Sequence, residues 1–374
     1  MPSLRVTTNQ GIEDIAAGEV ARLLDSAGIS HAEPAPGPRG RKGVVEIELT
    51  DDEEGREARS QLARTLAPAR SIYHAVIHTG EVQWTGQSLS ALGREIAAIP
   101  LPAMDDAASF RVTCSRFGDH PFHSPDVERA VGAALQERYG TAVDLEEYEV
   151  NVRVDITGEE CLCGYQLTGR KGLDRRYKWR FHPRVTLRTT IAFAMLDVAG
   201  FREAPGALHD PFCGSGTILL EASGLAKEAR ARYEGAGPSP STVSISGSDR
   251  SQTAVAGCRE NLLENGVEAV TVTQMDAREM AAHLEHSNLD YIVTNPPYGI
   301  RMGQSVDFGR LYSDFLHQAA IVLKPLGILV LLVGRRRGRF NKVLQATPEF
   351  RLEHVRIIEI GGVYPGLFVL RRTP

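Results

Sequence analysis

The chain has 374 residues, 42% hydrophobic and 24% charged, with 47 acidic against 42 basic side chains and a net charge of −5. That balance suits a globular protein of two or three domains and argues against disorder and against indiscriminate nucleic-acid binding, which needs clustered Lys and Arg. No apolar run approaches the ~20 residues of a membrane helix and no basic-then-apolar leader opens the chain, so a cytoplasmic location is expected. Cys114, Cys161, Cys163, Cys213 and Cys258 are scattered without a C-x-x-C pair. They read as reduced thiols, with neither a disulfide framework nor a metal site.

In chain order, a strand over Leu4 to Thr8 precedes an amphipathic helix from about Gly11 to Ser26. A Pro/Gly/Arg loop, Glu33 to Gly43, leads to a strand from Val44 to Leu49, and Asp51 to Glu54 open another helix at its positive dipole end. From Ser71 to Gly169 strand-like and helix-like segments alternate, including Ser109 to Ser115 and Val143 to Leu167. Ser124-Pro125 starts a helix between them, with Ser as N-cap. After Gly169 the composition changes: Arg170, Lys171, Arg175, Arg176, Lys178, Arg180 and Arg184 surround Tyr177, Trp179 and Phe181. This basic linker, 170–184, divides the chain. A helix over 185–199 and strands near 207–212, 243–248, 269–274, 289–294 and 327–333, each followed by a helical stretch, predict a doubly wound α/β sheet. Leu352 to Ile360 and Leu367 to Arg372 close it as an antiparallel hairpin, turning at Val363-Tyr364-Pro365-Gly366. Gly235 to Thr242 is a surface loop.

The chemistry sits at the strand ends. Asp210-Pro211-Phe212-Cys213-Gly214-Ser215-Gly216-Thr217 follows the first strand and opens the helix Ile218 to Ala231. Its glycines admit a ligand close to the backbone, the helix N-terminus offers N–H groups to a carboxylate, and Asp210 accepts from an ammonium. Taken singly such a turn is a weak signal. The second strand, however, ends at Asp249-Arg250, placed for a ribose diol, and the third at Asp276-Ala277, placed for an adenine amino group. Each Asp taken singly is more often a helix N-cap. The fourth strand ends at Asn295-Pro296-Pro297-Tyr298, where an Asn carbonyl oxygen beside a proline carbonyl supplies two acceptors for a planar amine and the Tyr ring a stacking face. The ensemble predicts a methyl-donor pocket and methylation of a planar nitrogen. A dinucleotide-dependent hydride transfer is disfavoured because the third glycine it needs is Leu219.

These motifs resemble those of the THUMP-containing RNA guanine-N2 methyltransferases, D-P-x-C-G-S-G-T-I and N-P-P-Y-G, matched by Asp210 to Ile218 and Asn295 to Gly299. Phe110-Arg111-Val112 and Ser124 to Ala134 look like the THUMP core, while His182-Pro183 and Leu187 to Met195 look like the segment entering the methyltransferase domain. Leu187-Arg188-Thr189 departs from the family's frequent Leu-Lys-Pro. The resemblance implies a ferredoxin-like part at 1–60, a THUMP domain at 61–169 and a class I methyltransferase domain at 185–374, with a seven-stranded sheet. It implies S-adenosylmethionine on Asp210, Phe212, Cys213, Gly214, Ser215, Gly216, Thr217, Asp249, Arg250, Asp276, Ala277 and Asn295, with Asn295, Pro296, Pro297 and Tyr298 catalytic. The substrate pattern closest to this chain is guanosine 6 of the tRNA acceptor stem.

Arg170, Lys171, Arg175, Arg176, Lys178, Arg180 and the cluster Arg335-Arg336-Arg337 read as RNA contacts, the alternatives being a solvated linker with buried aromatic anchors for the first and a soluble cap on a helix for the second. Arg39 to Lys42 form a third basic patch. Guanosine 10 of tRNA, ribosomal RNA, adenine N6, a protein amide, and a non-catalytic RNA-binding protein with a degenerate methyltransferase domain stay open at this point. The expected partner is tRNA, bound by a monomer without metal.

Overall fold

The computed structural model describes residues 3–50, 56–183, 186–233, 243–297, 307–334 and 337–374. It separates into two compact units, one built from residues 1–8 and 16–173, the other from residues 9–15 and 174–374.

The first unit holds β1 (Ser3–Thr7), most of α1 (Glu13–Ser26), β2 (Ala35–Pro36), β3 (Val44–Glu48), α2 (Arg56–Leu66), β4 (His74–Gln83), α3 (Leu89–Ala98), β5 (Ser109–Phe117), α4 (Ser124–Tyr139), β6 (Ala142–Val143), β7 (Val150–Thr157) and β8 (Glu160–Gln166). They form one sheet of order β2-β3-β1-β4-β8-β7-β5-β6. Period-2 alternation turns Leu4 and Val6, Val45 and Ile47, and Val152, Val154 and Ile156 into a single core with the helices. Residues 1–60 and 61–169 therefore share a sheet, joined where β1 pairs antiparallel with β4.

Two local expectations change. The N-cap of α4 is His123, whose N–H donates to the Asp126 carboxylate at 2.9 Å, so Ser124 is the first helical residue. The Pro/Gly/Arg loop contains the two-residue strand β2 and a 3₁₀ turn, Pro38–Gly40. The acidic helix start at 51–54 lies outside the described residues, and α2 is described from Arg56.

The second unit contains α5 (Thr189–Val198), β9 (Ala207–Asp210), α6 (Thr217–Tyr233), β10 (Ser244–Asp249), α7 (Gln252–Glu264), β11 (Thr271–Gln274), β12 (Leu289–Thr294), α8 (Phe308–Val322), β13 (Leu323–Val333), α9 (Arg337–Gln345), β14 (Phe350–Ile357) and β15 (Gly366–Arg372). Its seven strands run β11-β10-β9-β12-β13-β15-β14, parallel as far as β13 and antiparallel beyond. Helices cover both faces, so β13 reads as a continuous apolar run from Ile328 to Val333. Along β13, Ile328, Val330 and Leu332 enter the core under α5 to α7. Leu329, Leu331 and Val333 enter the opposite one with α8. The terminal hairpin turns earlier than expected. Ile360 and Val363 bridge across Gly361 and Gly362, both at positive φ (58° and 82°), which a two-residue turn demands and Tyr364-Pro365 do not supply.

Residues 9–15 are packed into this second unit. The Thr190 hydroxyl donates to Asn9 Oδ1 at 2.7 Å, the Glu359 N–H donates to the Gln10 carbonyl at 2.9 Å, and Arg356 grips the Asp14 carboxylate.

In the first unit, Gly164 of β8 lies against β4 so closely that a Cβ would collide with the Ile77 carbonyl. Gly164→Ala is expected to destabilise that unit by about 2–3 kcal/mol, as overpacking against backbone does. Urea unfolding followed by hydrogen exchange at β4 and β8 measures it, and an unshifted midpoint contradicts the close approach.

Candidate active site

In an open parallel sheet, ligands gather at the carboxyl ends of the strands where strand order reverses. Here the reversal falls between β9 and β12, which pair through Tyr291 with Leu208 and Ile292 with His209. The ends of β11, β10, β9 and β12 thus bring Asp276, Asp249, Asp210 and Asn295 to one edge in that order.

Asp210 closes β9 almost fully buried, at 1% exposure. Its Oδ1 accepts from the Thr294 hydroxyl at 2.6 Å and from the Phe212 N–H at 3.1 Å. Burial pushes its pKa up to about 7; those two bonds pull it down, and the nearby Asp249 charge adds to the rise. The neighbouring His209, between the Ser246 and Ser248 hydroxyls, is held neutral by burial, its pKa down at about 4.

The loop after Asp210 turns through Gly214 (φ 51°) and Gly216 (φ 87°) into α6. At Gly216 a Cβ would sit 2.7 Å from Cys258 Sγ, so both conformation and space require glycine. The Cys213 N–H donates to the Ser248 carbonyl at 2.9 Å. Its thiol turns inward to Cys258, and that hydrogen bond together with burial raises its pKa well above 9.0. What Cys213 offers a ligand is therefore backbone. Ser215 and Thr217 are buried, their hydroxyls 3.4 Å apart, and the Phe212 ring packs edge-on to Phe315.

Asp249 is half-buried and straddles the turn, accepting from the Ser251 N–H at 2.9 Å and the Gly214 N–H at 3.2 Å. Arg250 is exposed. Asp276 caps the 3₁₀ turn Ala277–Ala282, and Arg278 grips its carboxylate at 2.6 and 3.0 Å, a hydrogen bond that lowers its pKa. Ala277 beside it is buried. Asp276 is thus the N-cap of the turn, with its carboxylate at a strand end.

Asn295 follows Thr294 directly. Its Oδ1 is shielded from solvent and has no hydrogen-bond partner among the described residues, a costly state for a strong acceptor. Pro296 is buried and Pro297 half-buried. Tyr298, Arg184, Arg335 and Arg336 lie outside the described residues.

The basic linker divides by direction. Arg170, Lys171, Arg175, Lys178 and Arg180 are exposed, and Arg180 pairs with Glu264 at 2.6 Å. Arg176 departs from the expected phosphate contact: its guanidinium turns inward onto Glu221, which is fully buried. Tyr177 and Trp179 pack on the core with α5 and α6. Arg337 starts α9 half-buried, and in the first unit Arg39 and Arg41 are taken up by Glu160, with Glu81 3.3 Å from Arg39.

Sequence reasoning missed Thr294 and Asn261. The signal for Asn261 was an Asn on the face of α7 that also carries the buried Cys258 and Leu262. Among the described residues no group of three or more His, Cys, Asp or Glu is placed to hold a metal ion. No helix there is long and apolar enough to cross a membrane.

Strand order, the glycine turn at β9 and the unsatisfied Asn acceptor after β12 are those of a class I, S-adenosylmethionine-dependent methyltransferase. The family model of the RMKL-like methyltransferase domain matches residues 175–365, and that of the THUMP domain residues 87–163. A tRNA (guanine(6)-N2)-methyltransferase of Thermus thermophilus is 35% identical over 370 residues, 99% of each chain. One from Archaeoglobus fulgidus is 30% identical over 70% of this chain and 69% of its own. The crystal structure of TrmN from Thermus thermophilus has a TM-score of 0.73 at 34% identity and covers all of both chains. The chain belongs to the THUMP-containing RNA guanine-N2 methyltransferases.

The two buried titratable neighbours make a pH prediction. His209, with its pKa lowered from 6.5 to about 4, contributes stability present above pH 6.5 and lost as pH falls toward 4. Asp210, raised from 3.8 to about 7, contributes stability present below pH 3.8 and lost as pH rises through 7. Between pH 4 and 6.5 the slopes oppose. Asp210→Asn keeps the acceptor for Thr294 and removes one slope, so denaturant midpoints of the variant are expected to climb more steeply with pH across that window than those of the wild type. Parallel profiles contradict the raised Asp210 pKa.

Proposed function

We propose that the protein methylates the exocyclic N2 of guanosine 6 in tRNA, by direct transfer to a base turned out of the acceptor stem. The observation that carries this reading is the buried, unsatisfied Asn295 Oδ1 at the end of β12. A guanine amine has its lone pair delocalised into the ring, and acceptors drawing on its two hydrogens return density to nitrogen. Asn295 Oδ1 and the Pro296 carbonyl are the two acceptors. Pro297 fixes the turn without adding a competing N–H. Tyr298 supplies the ring on which the base stacks, offsetting part of the few kcal/mol, roughly, that extrusion costs.

S-adenosylmethionine, when bound, supplies an electrophilic methyl carbon. Asp210 accepts from its ammonium, and the loop Gly214 to Thr217 at the start of α6 receives its carboxylate through the amides of Ser215 and Thr217, those of Gly214 and Gly216 being held by Asp249 and the Cys213 carbonyl. Asp249 takes the ribose hydroxyls with Arg250 beside it; Asp276 and Ala277 bound the adenine, and Phe212 and Cys213 shape the wall through ring and backbone. The residues fit the group: Gly214 and Gly216, both at positive φ, shape the turn into the start of α6, and Asp210 ends β9 as a buried carboxyl suited to an ammonium.

Phosphate contacts fall to the exposed Arg170, Lys171, Arg175, Lys178 and Arg180, with Arg335, Arg336 and Arg337 flanking the target, which reconciles a net charge of −5 with RNA binding. Residues 1–60 and 61–169 serve as ferredoxin-like and THUMP portions that hold the tRNA 3′ end, 170–184 as linker and 185–374 as the catalytic domain. The enzyme works as a cytoplasmic monomer.

The test is a tRNA transcript incubated with labelled S-adenosylmethionine and mapped by nucleoside mass spectrometry. N2-methylguanosine at position 6 is expected, and a transcript carrying inosine there, which lacks the amine, takes no label. Label at another nucleotide, or undiminished label with inosine, overturns the reading.

A further inference from the structure

The segment 176–183 and the donor loop 213–217 meet on one side chain. Asn261 of α7 is completely buried. Its Oδ1 accepts from the Arg180 N–H at 2.8 Å and the Phe181 N–H at 2.9 Å; its Nδ2 donates to the Phe181 carbonyl at 2.8 Å and to the Ser215 carbonyl at 3.0 Å. An amide side chain has two donor hydrogens and two acceptor lone pairs, so every one is used, three on the segment and one on the donor loop.

The seat is built at helical spacing. One turn earlier Gly257 leaves the room that the Phe181 ring fills, and a Cβ there would collide with it. One turn later Asn265 accepts from the Lys178 N–H at 3.0 Å and donates to the Lys178 carbonyl at 2.8 Å. Positions 257, 261 and 265 thus form one stripe of α7 that holds the segment like a strap. Only Asn261 also reaches the donor loop. The strap's exposed cations, Lys178 and Arg180, stand on the same backbone.

We infer that Asn261 is a positioning residue that couples the strap to the donor loop, so that RNA engaging the strap and S-adenosylmethionine entering the loop strengthen one another. Both ligands order backbone that shares one hydrogen-bonding amide, and such coupling is reciprocal. Its RNA half rests on the function proposed above; the hold on the donor loop does not.

Asn261→Asp keeps the acceptor for the strap amides and abolishes the donor to the Phe181 and Ser215 carbonyls, Asn261→Ala removes donor and acceptor without burying a charge, and Asn265→Ala removes the two bonds to Lys178 and one to the Asn261 backbone carbonyl while leaving the Asn261 side chain in place. In ligand-free protein, either Asn261 variant is expected to speed amide hydrogen exchange at Gly214 to Thr217. Asn265→Ala speeds it only in the strap. Calorimetry without RNA is expected to show S-adenosylmethionine bound roughly tenfold more weakly by the Asn261 variants, the effect of one buried group left unpaired, and within about twofold of wild type by Asn265→Ala. Adding tRNA transcript is expected to tighten wild-type donor binding by about fivefold or more and to leave the Asn261 variants unmoved. Unchanged loop exchange and donor affinity in folded Asn261 variants overturn the positioning role. Wild-type donor affinity indifferent to tRNA overturns the coupling. Methyl transfer by the wild type to the same transcript judges the proposed function separately, since loop exchange and donor affinity are read without RNA.

Discussion

The hydrogen bond from the Thr294 hydroxyl to Asp210 holds the site together. It runs 2.6 Å between the carboxyl ends of β9 and β12, where strand order reverses. Asp210 begins the loop and Thr294 immediately precedes Asn295, so in the function proposed here the bond ties the donor side of the site to the acceptor side. A carboxylate this deeply buried is expensive, and the pKa of about 7 records that expense. Thr294 and the Phe212 N–H offset it, and an ammonium arriving at Asp210 offsets it further.

Rigidity at that centre is obtained from polar groups that are fully used, contrasted with one that is not. Asn261 spends all its capacity on the strap and the donor loop, Glu221 takes the inward-turned Arg176, and Asp249 spans its own turn and Gly214. Asn295 Oδ1 alone among the polar atoms of the strand ends stands shielded and unpaired among the described residues. Geometry prepaid in this way lowers the cost of holding a planar amine in the attacking orientation. The linker follows the same division: Arg176 and the aromatics face inward as structure, while the remaining cations face out.

Much of this was legible in the sequence because strand ends in a parallel sheet carry the chemistry and their residues announce themselves. Asp210, Asp249, Asp276 and Asn295 each close a run of β-forming residues, and the structure brings all four to one edge. Thr294 was hidden because a Thr ending a strand is ordinary; only the register of β12 on β9 makes it the partner of Asp210. Asn261 was hidden because its partners lie 46 and 80 residues away in sequence. The inward turn of Arg176 depends on a buried Glu221 that helical periodicity alone does not single out. Residues 9–15 defeat segment-by-segment reading altogether, since Asn9 and Asp14 find their partners at Thr190 and Arg356. At the hairpin, tyrosine and proline drew attention from Gly361-Gly362, where positive φ was required.

The most direct measurement separates binding from transfer at Asn295. Calorimetry of S-adenosylmethionine binding and single-turnover methyl transfer to tRNA are compared for wild type and Asn295→Ala. The account predicts donor affinity within about threefold and a transfer rate reduced roughly a hundredfold or more, the usual cost of deleting one preorganised group aimed at a developing charge. A variant that transfers methyl at the wild-type rate, or whose defect is wholly one of donor affinity, would contradict it.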